Sequence, residues 1–177
     1  AIPDGAEDIA AAALAGIPGV RLVTGGATRQ ESVRRALEAL EADAPDLVFI
    51  HDAARPILPH AVIARLVSAL DAWPGAIPVL PVVDSLTAAH GSVMGEPARR
   101  EELRRVQTPQ AFRYPEILAA HRSWNAAADA GDDAQVARAA GLEIALVDGD
   151  EALHKLTFAS DFALAPAPIR VGTGYDV

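Results

Sequence analysis

Cysteine, long apolar runs and positive charge are scarce in this chain, and each scarcity excludes a class of protein. No cysteine occurs, which excludes disulfides, thiolate metal sites and thiol nucleophiles. No stretch reaches the ~18 uninterrupted apolar residues of a membrane-spanning helix, because proline, glycine and charged residues interrupt every apolar run. Only 15 lysine and arginine residues stand against 24 aspartate and glutamate residues, giving a net charge of −9. The chain therefore has no broad basic surface for nucleic acid.

The remaining composition is that of one folded domain. The 177 residues are 51% hydrophobic and 22% charged, and the mean hydropathy is +0.18. These values favour a packed core over disorder. The first residues lack the basic segment and the long apolar segment of a secretory signal. We therefore expect a cytoplasmic protein that binds neither nucleic acid nor membranes.

Lysine is almost absent, although arginine is common. Lys155 is the only lysine in the chain. An ammonium group acts as a compact point charge, whereas a guanidinium group is a planar fork. A single lysine in an arginine-rich chain therefore suggests a role for the ammonium group. The alternative is a surface lysine without a role.

Alternating strand and helix patterns predict an α/β fold with a mainly parallel sheet. The predicted strands are residues 20–24, 46–50, 76–83 and 142–147. Helices are predicted at residues 9–15, around residues 33–40, after Pro59, from Pro115, and at residues 132–140, where two aspartates cap the helix. Pro78 and Pro81 place the third strand near an edge of the sheet or in a bulge. Residues 88–105 are expected to form a long loop or interaction arm, and residues 107–114 a connection.

Three polar clusters follow the predicted strands, where α/β sheets bind their ligands. They are TGGATRQES, HDAARP and the pair Asp84-Ser85. Ser32 and Arg29 lie at the start of a predicted helix, whose free N–H groups attract anions. Asp52 is a lone carboxylate among basic residues. This pattern suits magnesium-assisted phosphoryl chemistry, because Mg²⁺ takes one or two carboxylates together with substrate phosphates.

Each of these residues also has a purely structural interpretation. Gly25-Gly26 can be a simple turn, His51 can satisfy a buried hydrogen bond, and Arg55 can pair with Asp52 or Asp84. The five histidines are scattered without the close spacing of a zinc site. No Gly-x-Ser-x-Gly motif of a serine hydrolase is present.

Six motifs together resemble one enzyme family. RQESV, VFIHDAARP, PVVDS, RRVQTPQAF, GDDA and LHKLT occur in the order found in the 2-C-methyl-D-erythritol 4-phosphate cytidylyltransferases of non-mevalonate isoprenoid biosynthesis. The resemblance implies a Rossmann-like nucleotidyltransferase fold over residues 1–165, and a homodimer formed through a protruding arm at residues 83–105. It also implies that CTP and 2-C-methyl-D-erythritol 4-phosphate react with Mg²⁺ to give 4-diphosphocytidyl-2-C-methyl-D-erythritol and pyrophosphate.

The same resemblance implies roles for single residues. The implied nucleotide-binding residues are Ser32 and Asp52, to which Arg29 is added by its place at the helix start; the substrate-binding residues are Arg55, Ser85, Arg100, Thr108 and Lys155; and the catalytic residues are Lys155 and Asp52, the latter also holding Mg²⁺. The chain departs from the family where Ala27, Val83 and Gly131 replace a common acidic residue, arginine and threonine.

Both ends of the chain also depart from this family. Relatives open with a Gly-rich AAG-x-G-x-R loop and a lysine that surround the triphosphate, and this sequence contains neither, so we expect a fragment of a longer product. The tail IRVGTGYDV resembles the opening strand of 2-C-methyl-D-erythritol 2,4-cyclodiphosphate synthase. This implies that residues 166–177 form a linker and the first strand of a second domain, with Asp176 as ligand of a divalent metal such as Zn²⁺. An ordinary C-terminal strand is the alternative.

Two other functions stay open. One is nucleotidyl transfer to a different sugar or polyol phosphate, a choice that Ser85 and Arg100 would set. The other is a non-catalytic binding or dimerisation fragment, because the Gly-rich loop is missing. Magnesium-dependent binding of CTP would exclude this second alternative.

Overall fold

A mixed five-stranded sheet organises the protein in a computed structural model that describes residues 1–125 and 130–164. Its strands are β1 (Leu47–Ile50), β2 (Gly75–Pro81), β5 (Arg104–Val106), β6 (Gln110–Arg113) and β7 (Ile144–Asp148). Strands β3 (Leu86–His90) and β4 (Val93–Ala98) form a separate hairpin. The helices are α1 (Glu7–Ala13), α2 (Arg29–Glu38), α3 (His60–Ala69), α4 (Tyr114–Ser123), α5 (Asp133–Ala139) and α6 (Asp161–Leu164), with 3-10 turns at Arg100–Glu102 and Glu151–Leu153. The predicted α/β class is confirmed.

The sheet is mixed, so the prediction of a mainly parallel sheet was wrong. Strand β6 lies between β1 and β2 and runs antiparallel to both, and β5 is also antiparallel to β2. Strands β2 and β7 are parallel. The error arose at residues 107–114, expected as a connection, because β6 is short and follows directly on Pro109. Strands β1, β2 and β7 still share one direction, so their carboxyl ends meet at one edge of the sheet.

Strand β2 is central, which corrects the edge position expected from its prolines. It pairs with β7 on one side and with β5 and β6 on the other. The C=O of Pro78 accepts a hydrogen bond from the N–H of Gln107 at 2.9 Å. The N–H and C=O of one strand residue point towards the same neighbouring strand. The nitrogen of Pro78, which carries no hydrogen, therefore faces the break between β5 and β6, as its C=O does. A proline is tolerated there because the ladder is interrupted.

Helices cover both faces of the sheet and build two apolar clusters. Side chains of α3 pack on one face with Ala111, and side chains of α2, α4 and α5 pack on the other face with Phe112. Neighbouring strand residues thus point to opposite faces, as the period of a strand requires. The large apolar helix residues that are fully or almost fully buried include Val62, Leu66, Leu37, Ile117 and Val136. The predicted helices around residues 33–40, after Pro59, from Pro115 and at residues 132–140 are confirmed, although the first of them begins earlier, at Arg29.

Two side-chain caps fix the starts of helices beside the sheet edge described below. Thr28 Oγ1 accepts a hydrogen bond from the N–H of Glu31 at 3.1 Å, which caps α2. Asp132 Oδ1 accepts from the N–H of Gln135 at 2.9 Å, which caps α5. Such a cap contributes about 1 kcal/mol. The cap predicted at the start of α5 is confirmed.

Two segments differ from their predicted structure. Residues 88–105, expected to be a long loop or interaction arm, contain most of the β3–β4 hairpin and the first two residues of β5. The hairpin is exposed along almost its whole length, so it carries no apolar alternation that would reveal its strands. Residues 20–24, expected to form a strand, make one isolated bridge from Thr24 to Ile2. Within the described residues, no helix is long and apolar enough to cross a membrane.

Candidate active site

The edge where β1, β2 and β7 end collects the charged residues of the HDAARP and LHKLT motifs. Residues 51–55 follow β1 directly, and residues 149–156 follow β7. The two loops are joined by a hydrogen bond from the N–H of Leu156 to the C=O of Ala54, at 2.8 Å. Residues far apart in sequence therefore come together at the carboxyl ends of the strands, where α/β sheets bind their ligands.

The centre of this site is an ion pair between Asp52 and Lys155. Lys155 Nζ lies 3.1 Å from Asp52 Oδ2. The lysine side chain is 49% exposed, whereas the aspartate side chain is only 19% exposed. The ammonium group therefore reaches solvent on one side and is anchored by a carboxylate on the other. Because its ammonium group already reaches solvent, Lys155 can bind an anionic ligand without a rearrangement of its side chain.

Arg55 connects the two loops through contacts with Asp52 on one loop and Leu153 on the other. Its Nε lies 3.4 Å from Asp52 Oδ2, and its Nη1 donates to the C=O of Leu153 at 2.5 Å. The side chain is only 12% exposed. Of the two partners foreseen for Arg55, the structure thus selects Asp52 over Asp84. Two of its donors are already used inside the protein.

Thr108 and His51 fix the backbone that carries Asp52. Thr108 Oγ1 accepts from the N–H of Asp52 at 3.0 Å and lies 3.1 Å from His51 Nδ1. The other ring nitrogen of His51 lies 2.9 Å from the C=O of Arg55. Both nitrogens of His51 are thus occupied, which confirms its structural interpretation. Thr108 is 5% exposed, and its hydroxyl is engaged with the protein.

Ser32 holds the predicted turn at Gly25-Gly26. Its Oγ accepts from the N–H of Gly26 at 3.0 Å and donates to the C=O of Thr28 at 2.9 Å. A Cβ atom at Gly25 would lie 2.7 Å from that Oγ, so a larger residue would push the turn away from α2. Ser32 and the two glycines line a cleft of about 690 Å³. No hydrogen bond or ion pair between described residues joins Ser32 to Asp52.

Arg29 forms an ion pair with a buried aspartate, and this contact was not predicted from the sequence. Its Nη2 lies 2.5 Å from Asp133 Oδ2, and Asp133 Oδ1 lies 3.2 Å from His121 Nε2. Burial acts to lower the pKa of Arg29, but the hydrogen bond and charge of Asp133 outweigh burial and raise that pKa. The side chains of Asp133 and His121 are fully buried. The polar start of α5 suggested only a cap, and no local pattern pointed to this distant partner.

The other predicted site residues form no hydrogen bond or ion pair with Asp52 or Lys155 in the described part of the chain. Ser85 and Arg100 are exposed, beside and beyond the β3–β4 hairpin. Arg100 Nη1 donates to the C=O of Val83 at 2.7 Å, and its Nε lies 3.6 Å from Glu101. In the described part of the chain, neither residue forms a hydrogen bond or ion pair with Asp52. Asp176 lies outside the described residues.

A magnesium ion would find one carboxylate at this site. Within residues 1–125 and 130–164, no group of three or more histidine or acidic side chains could bind a metal by itself. The ion pairs of Asp52 use Oδ2, which leaves Oδ1 without a hydrogen bond or ion pair to described residues. One carboxylate completed by substrate phosphates and water is a normal Mg²⁺ site. The donor set therefore fits magnesium only together with a phosphorylated ligand.

The helix-covered sheet, with charged residues at its carboxyl edge, defines an α/β protein with a candidate ligand site at that edge. The family model of 2-C-methyl-D-erythritol 4-phosphate cytidylyltransferase matches residues 2–170. The chain belongs to this family, as its motifs predicted.

Relatives and solved structures agree with the family assignment. The chain is 64% identical over 177 residues to the bifunctional enzyme IspD/IspF of Erythrobacter litoralis, covering all of this chain and 46% of that protein. It is 48% identical over 155 residues to the 2-C-methyl-D-erythritol 4-phosphate cytidylyltransferase of Cereibacter sphaeroides (strain KD131), covering 88% of this chain and 68% of that protein. The crystal structure of the cytidylyltransferase from Thermus thermophilus matches with a TM-score of 0.73 and 40% identity, covering 84% of this chain and 76% of that one. The chain spans about half the length of the bifunctional relatives that it matches, which fits the resemblance of its tail to a cyclodiphosphate synthase.

Proposed function

We propose that this chain is the cytidylyltransferase part of an enzyme that converts CTP and 2-C-methyl-D-erythritol 4-phosphate to 4-diphosphocytidyl-2-C-methyl-D-erythritol and pyrophosphate. Family membership supports the reaction. The observation that carries the proposal is the Asp52–Lys155 pair at the carboxyl edge of the sheet, 3.1 Å between Nζ and Oδ2. It combines an exposed ammonium group for phosphates with a carboxylate for a cation.

The reaction needs charge stabilisation more than it needs a protein nucleophile. The phosphate of the acceptor is ionised near neutral pH and attacks the α-phosphorus of CTP itself, so no general base is required. Lys155 would offset negative charge on the oxygens in the transition state. Magnesium at Asp52 would supply further charge neutralisation when bound. Arg55 and Thr108 hold Asp52 in place through the hydrogen bonds described above.

The remaining ligand contacts are assigned through the family resemblance. Ser32 and Arg29 would contact the nucleotide, since both lie at the start of α2, where backbone N–H groups attract anions. Arg55 and Thr108 would contact the acceptor near Asp52. Both side chains are already hydrogen-bonded within the protein: Thr108 Oγ1 accepts from the N–H of Asp52, and Arg55 Nη1 donates to the C=O of Leu153. They therefore have fewer free hydrogen-bonding groups for the substrate than the resemblance implies.

Ser85 and Arg100 would complete the acceptor site of a second copy of the chain. They form no hydrogen bond or ion pair with Asp52 in the described part of their own chain. The β3–β4 hairpin beside them exposes apolar side chains, Val93 at 67% and Met94 at 73%, and exposed apolar surface of this kind favours an interface. A homodimer that exchanges this arm would bring Arg100 to the partner's site.

The second domain and the location belong to the same proposal. Residues 166–177 would lead into a cyclodiphosphate synthase domain in which Asp176 binds a divalent metal such as Zn²⁺. Support comes from the bifunctional relatives. The cytoplasm is the location that the sequence predicts.

A pyrophosphate-release assay tests the proposed reaction. The full-length protein is supplied with CTP, 2-C-methyl-D-erythritol 4-phosphate and magnesium, and Asp52→Ala is compared with Asp71→Ala, an exposed carboxylate outside the site. We expect turnover in the unmodified protein and in Asp71→Ala, and none in Asp52→Ala. Full activity of Asp52→Ala would refute the site.

Two further measurements separate the alternatives. Turnover with another sugar or polyol phosphate, and none with the methylerythritol compound, would show a related nucleotidyltransferase. Calorimetry with CTP and magnesium addresses the binding fragment. Absence of turnover together with absence of CTP binding would leave this chain with acceptor binding or dimerisation alone.

A further inference from the structure

The break between β5 and β6 places two adjacent buried residues against both loops of the candidate site. Gln107 and Thr108 are each 5% exposed. Thr108 Oγ1 accepts from the N–H of Asp52 at 3.0 Å. Gln107 reaches the opposite loop, the one that follows β7 and carries Lys155. The two members of the ion pair are thus held by neighbouring residues of a third segment.

The amide of Gln107 binds both backbone groups of Asp150. Its Nε2 donates to the C=O of Asp150 at 2.8 Å, and its Oε1 accepts from the N–H of Asp150 at 3.0 Å. The backbone N–H of Gln107 is in turn bound to the C=O of Pro78 in the central strand, at 2.9 Å. A methionine of similar size could make neither bond to Asp150. Two partly buried backbone groups would lose their partners, which costs ~1–3 kcal/mol for each group left unsatisfied.

Gly149 shows how closely this amide fits the loop. A Cβ atom at residue 149 would lie 2.2 Å from Gln107 Oε1 and 3.0 Å from the C=O of Val79. The N–H of Gly149 donates to that same C=O at 2.9 Å. An alanine here would displace the amide of Gln107 or pull the loop away from β2. Gly149 and Gln107 therefore form one contact that can be broken from either side.

Asp150 is the point from which the loop runs to Lys155. Its side chain accepts from the N–H of Ala152 at 2.9 Å and so starts the 3-10 turn Glu151–Leu153. The side chain of Leu153 is fully buried, and its C=O accepts from Arg55. Lys155 lies two residues further on. A shift at Asp150 would therefore be passed along a short ordered segment to the ammonium group.

We infer that Gln107 is a positioning residue that sets the contact between Lys155 and Asp52, and this rests on the proposed function for its effect on turnover. Thr108 holds the aspartate side of the pair and Gln107 holds the lysine side. A displacement of about 1 Å in a catalytic group can cost ~10²-fold in rate. Loss of the Gln107 amide should thus lower kcat while binding of the distant nucleotide groups persists.

The single lysine provides a direct readout of this contact. Reductive methylation with ¹³C-formaldehyde labels Lys155 as the only side-chain amine of the chain, and the N-terminal amine gives a separate signal. The NMR signal of Lys155 is recorded in the unmodified chain, in Gln107→Met and in Asp52→Asn, which defines the signal of the broken pair. Gln135→Met is the matched control, because Gln135 also accepts a backbone N–H, from Gly131 at 3.1 Å, but lies on α5.

The expected result is a shift of the Lys155 signal in Gln107→Met towards its position in Asp52→Asn, with no shift in Gln135→Met. Turnover should show kcat lowered by about 10- to 100-fold in Gln107→Met, with KM for CTP changed less than about twofold. An unmoved Lys155 signal in a folded Gln107→Met, or an unchanged kcat, would overturn the inference. If Gln107→Met does not fold, Gly149→Ala breaks the same contact and is judged by the same two results.

The two readouts separate this inference from the proposed reaction. An unmodified chain without turnover would contradict the proposed function, yet the NMR comparison would still decide whether Gln107 holds Lys155 against Asp52. Active protein with an unmoved signal would keep the reaction and remove the role of Gln107.

Discussion

Replacement of Asp133 by asparagine removes the carboxylate at the centre of a buried charge cluster. Asp133 lies 2.5 Å from Arg29 Nη2 and 3.2 Å from His121 Nε2, and its side chain is fully buried. Burial alone would raise the pKa of Asp133, but its contacts with His121 and Arg29 outweigh burial and leave the pKa below its ordinary value. Asparagine keeps the shape of the side chain and loses the charge. The guanidinium group of Arg29 would then lack its counter-ion.

The loss of stability can be estimated from this geometry. Removing one partner of a buried ion pair costs about 3–5 kcal/mol. The side chain of Arg29 is 35% exposed, so water offsets part of the loss. We therefore expect the lower end, about 3 kcal/mol. For a domain of this size each kcal/mol lowers Tm by about 2–4 °C, so circular dichroism at pH 7 should show a decrease of roughly 6–12 °C.

The neighbouring aspartate provides the control for this experiment. Asp132→Asn also removes a negative charge, but asparagine caps a helix as well as aspartate does, so its Tm should change little. A loss below about 1 kcal/mol in Asp133→Asn would refute the reasoning, because a buried pair would then contribute no more than an exposed one.

The pH dependence of the same variant follows from the direction of the pKa shift. Because the pKa of Asp133 is lower in the folded than in the unfolded chain, its stabilising contribution is complete above the ordinary aspartate pKa of about 3.9. That contribution is lost as the pH falls below this value. The Tm difference between the unmodified chain and Asp133→Asn should therefore narrow only below about pH 4. A difference that widens on acidification would contradict the assigned shift.

Two further predictions concern the proposed site. Lys155→Arg should lower kcat although it keeps the charge, because the rigid, planar guanidinium group cannot adjust to the moving phosphate oxygens as an ammonium group can. Lys155→Ala should lower kcat further, by ~10²–10³-fold. Full single-turnover activity of Lys155→Arg at saturating CTP would make the lysine an ordinary surface charge. Arg100→Ala should raise KM for the polyol phosphate and leave KM for CTP nearly unchanged. Mixed dimers of Arg100→Ala and Asp52→Ala chains should regain one working site if the arm acts on the partner, and none if it acts on its own chain.

Local sequence patterns were enough for the elements that pack in a regular way. The helices at α3 and α4 and the strands at β1 and β7 carry apolar residues at the expected spacing, so their existence could be predicted. Strand β6 could not be predicted, because four residues after a proline carry too little periodicity. The exposed β3–β4 hairpin could not be predicted for another reason: neither of its faces is buried against a core.

The candidate site divides in the same way. Asp52 and Lys155 could be proposed because each stands out locally, one in the HDAARP motif and the other as the only lysine. Gln107 and Asp133 could not, because their roles depend on partners 43 and 104 residues away in the sequence. Such contacts exist only after the sheet order is set. Contacts between residues distant in sequence are therefore the part of the site that could not be predicted from this sequence alone.

Stability and the proposed chemistry use different carboxylates in this fold. Asp133 is fully buried and paired with Arg29. Asp133→Asn should therefore lower the free energy of unfolding by about 3 kcal/mol, the lower end of the loss expected when a buried ion pair is broken. Asp52 is paired with the half-exposed Lys155, and an exposed pair of this kind contributes only about 0–1 kcal/mol. Its second partner, the more buried Arg55, lies at the longer distance of 3.4 Å and keeps its hydrogen bond to the C=O of Leu153 when Asp52 is replaced. Asp52→Ala should abolish turnover and lower the unfolding temperature less than Asp133→Asn does. Equal stability losses in the two variants would show that Asp52 is part of the structural framework, and a loss of turnover in Asp52→Ala could then no longer be assigned to chemistry.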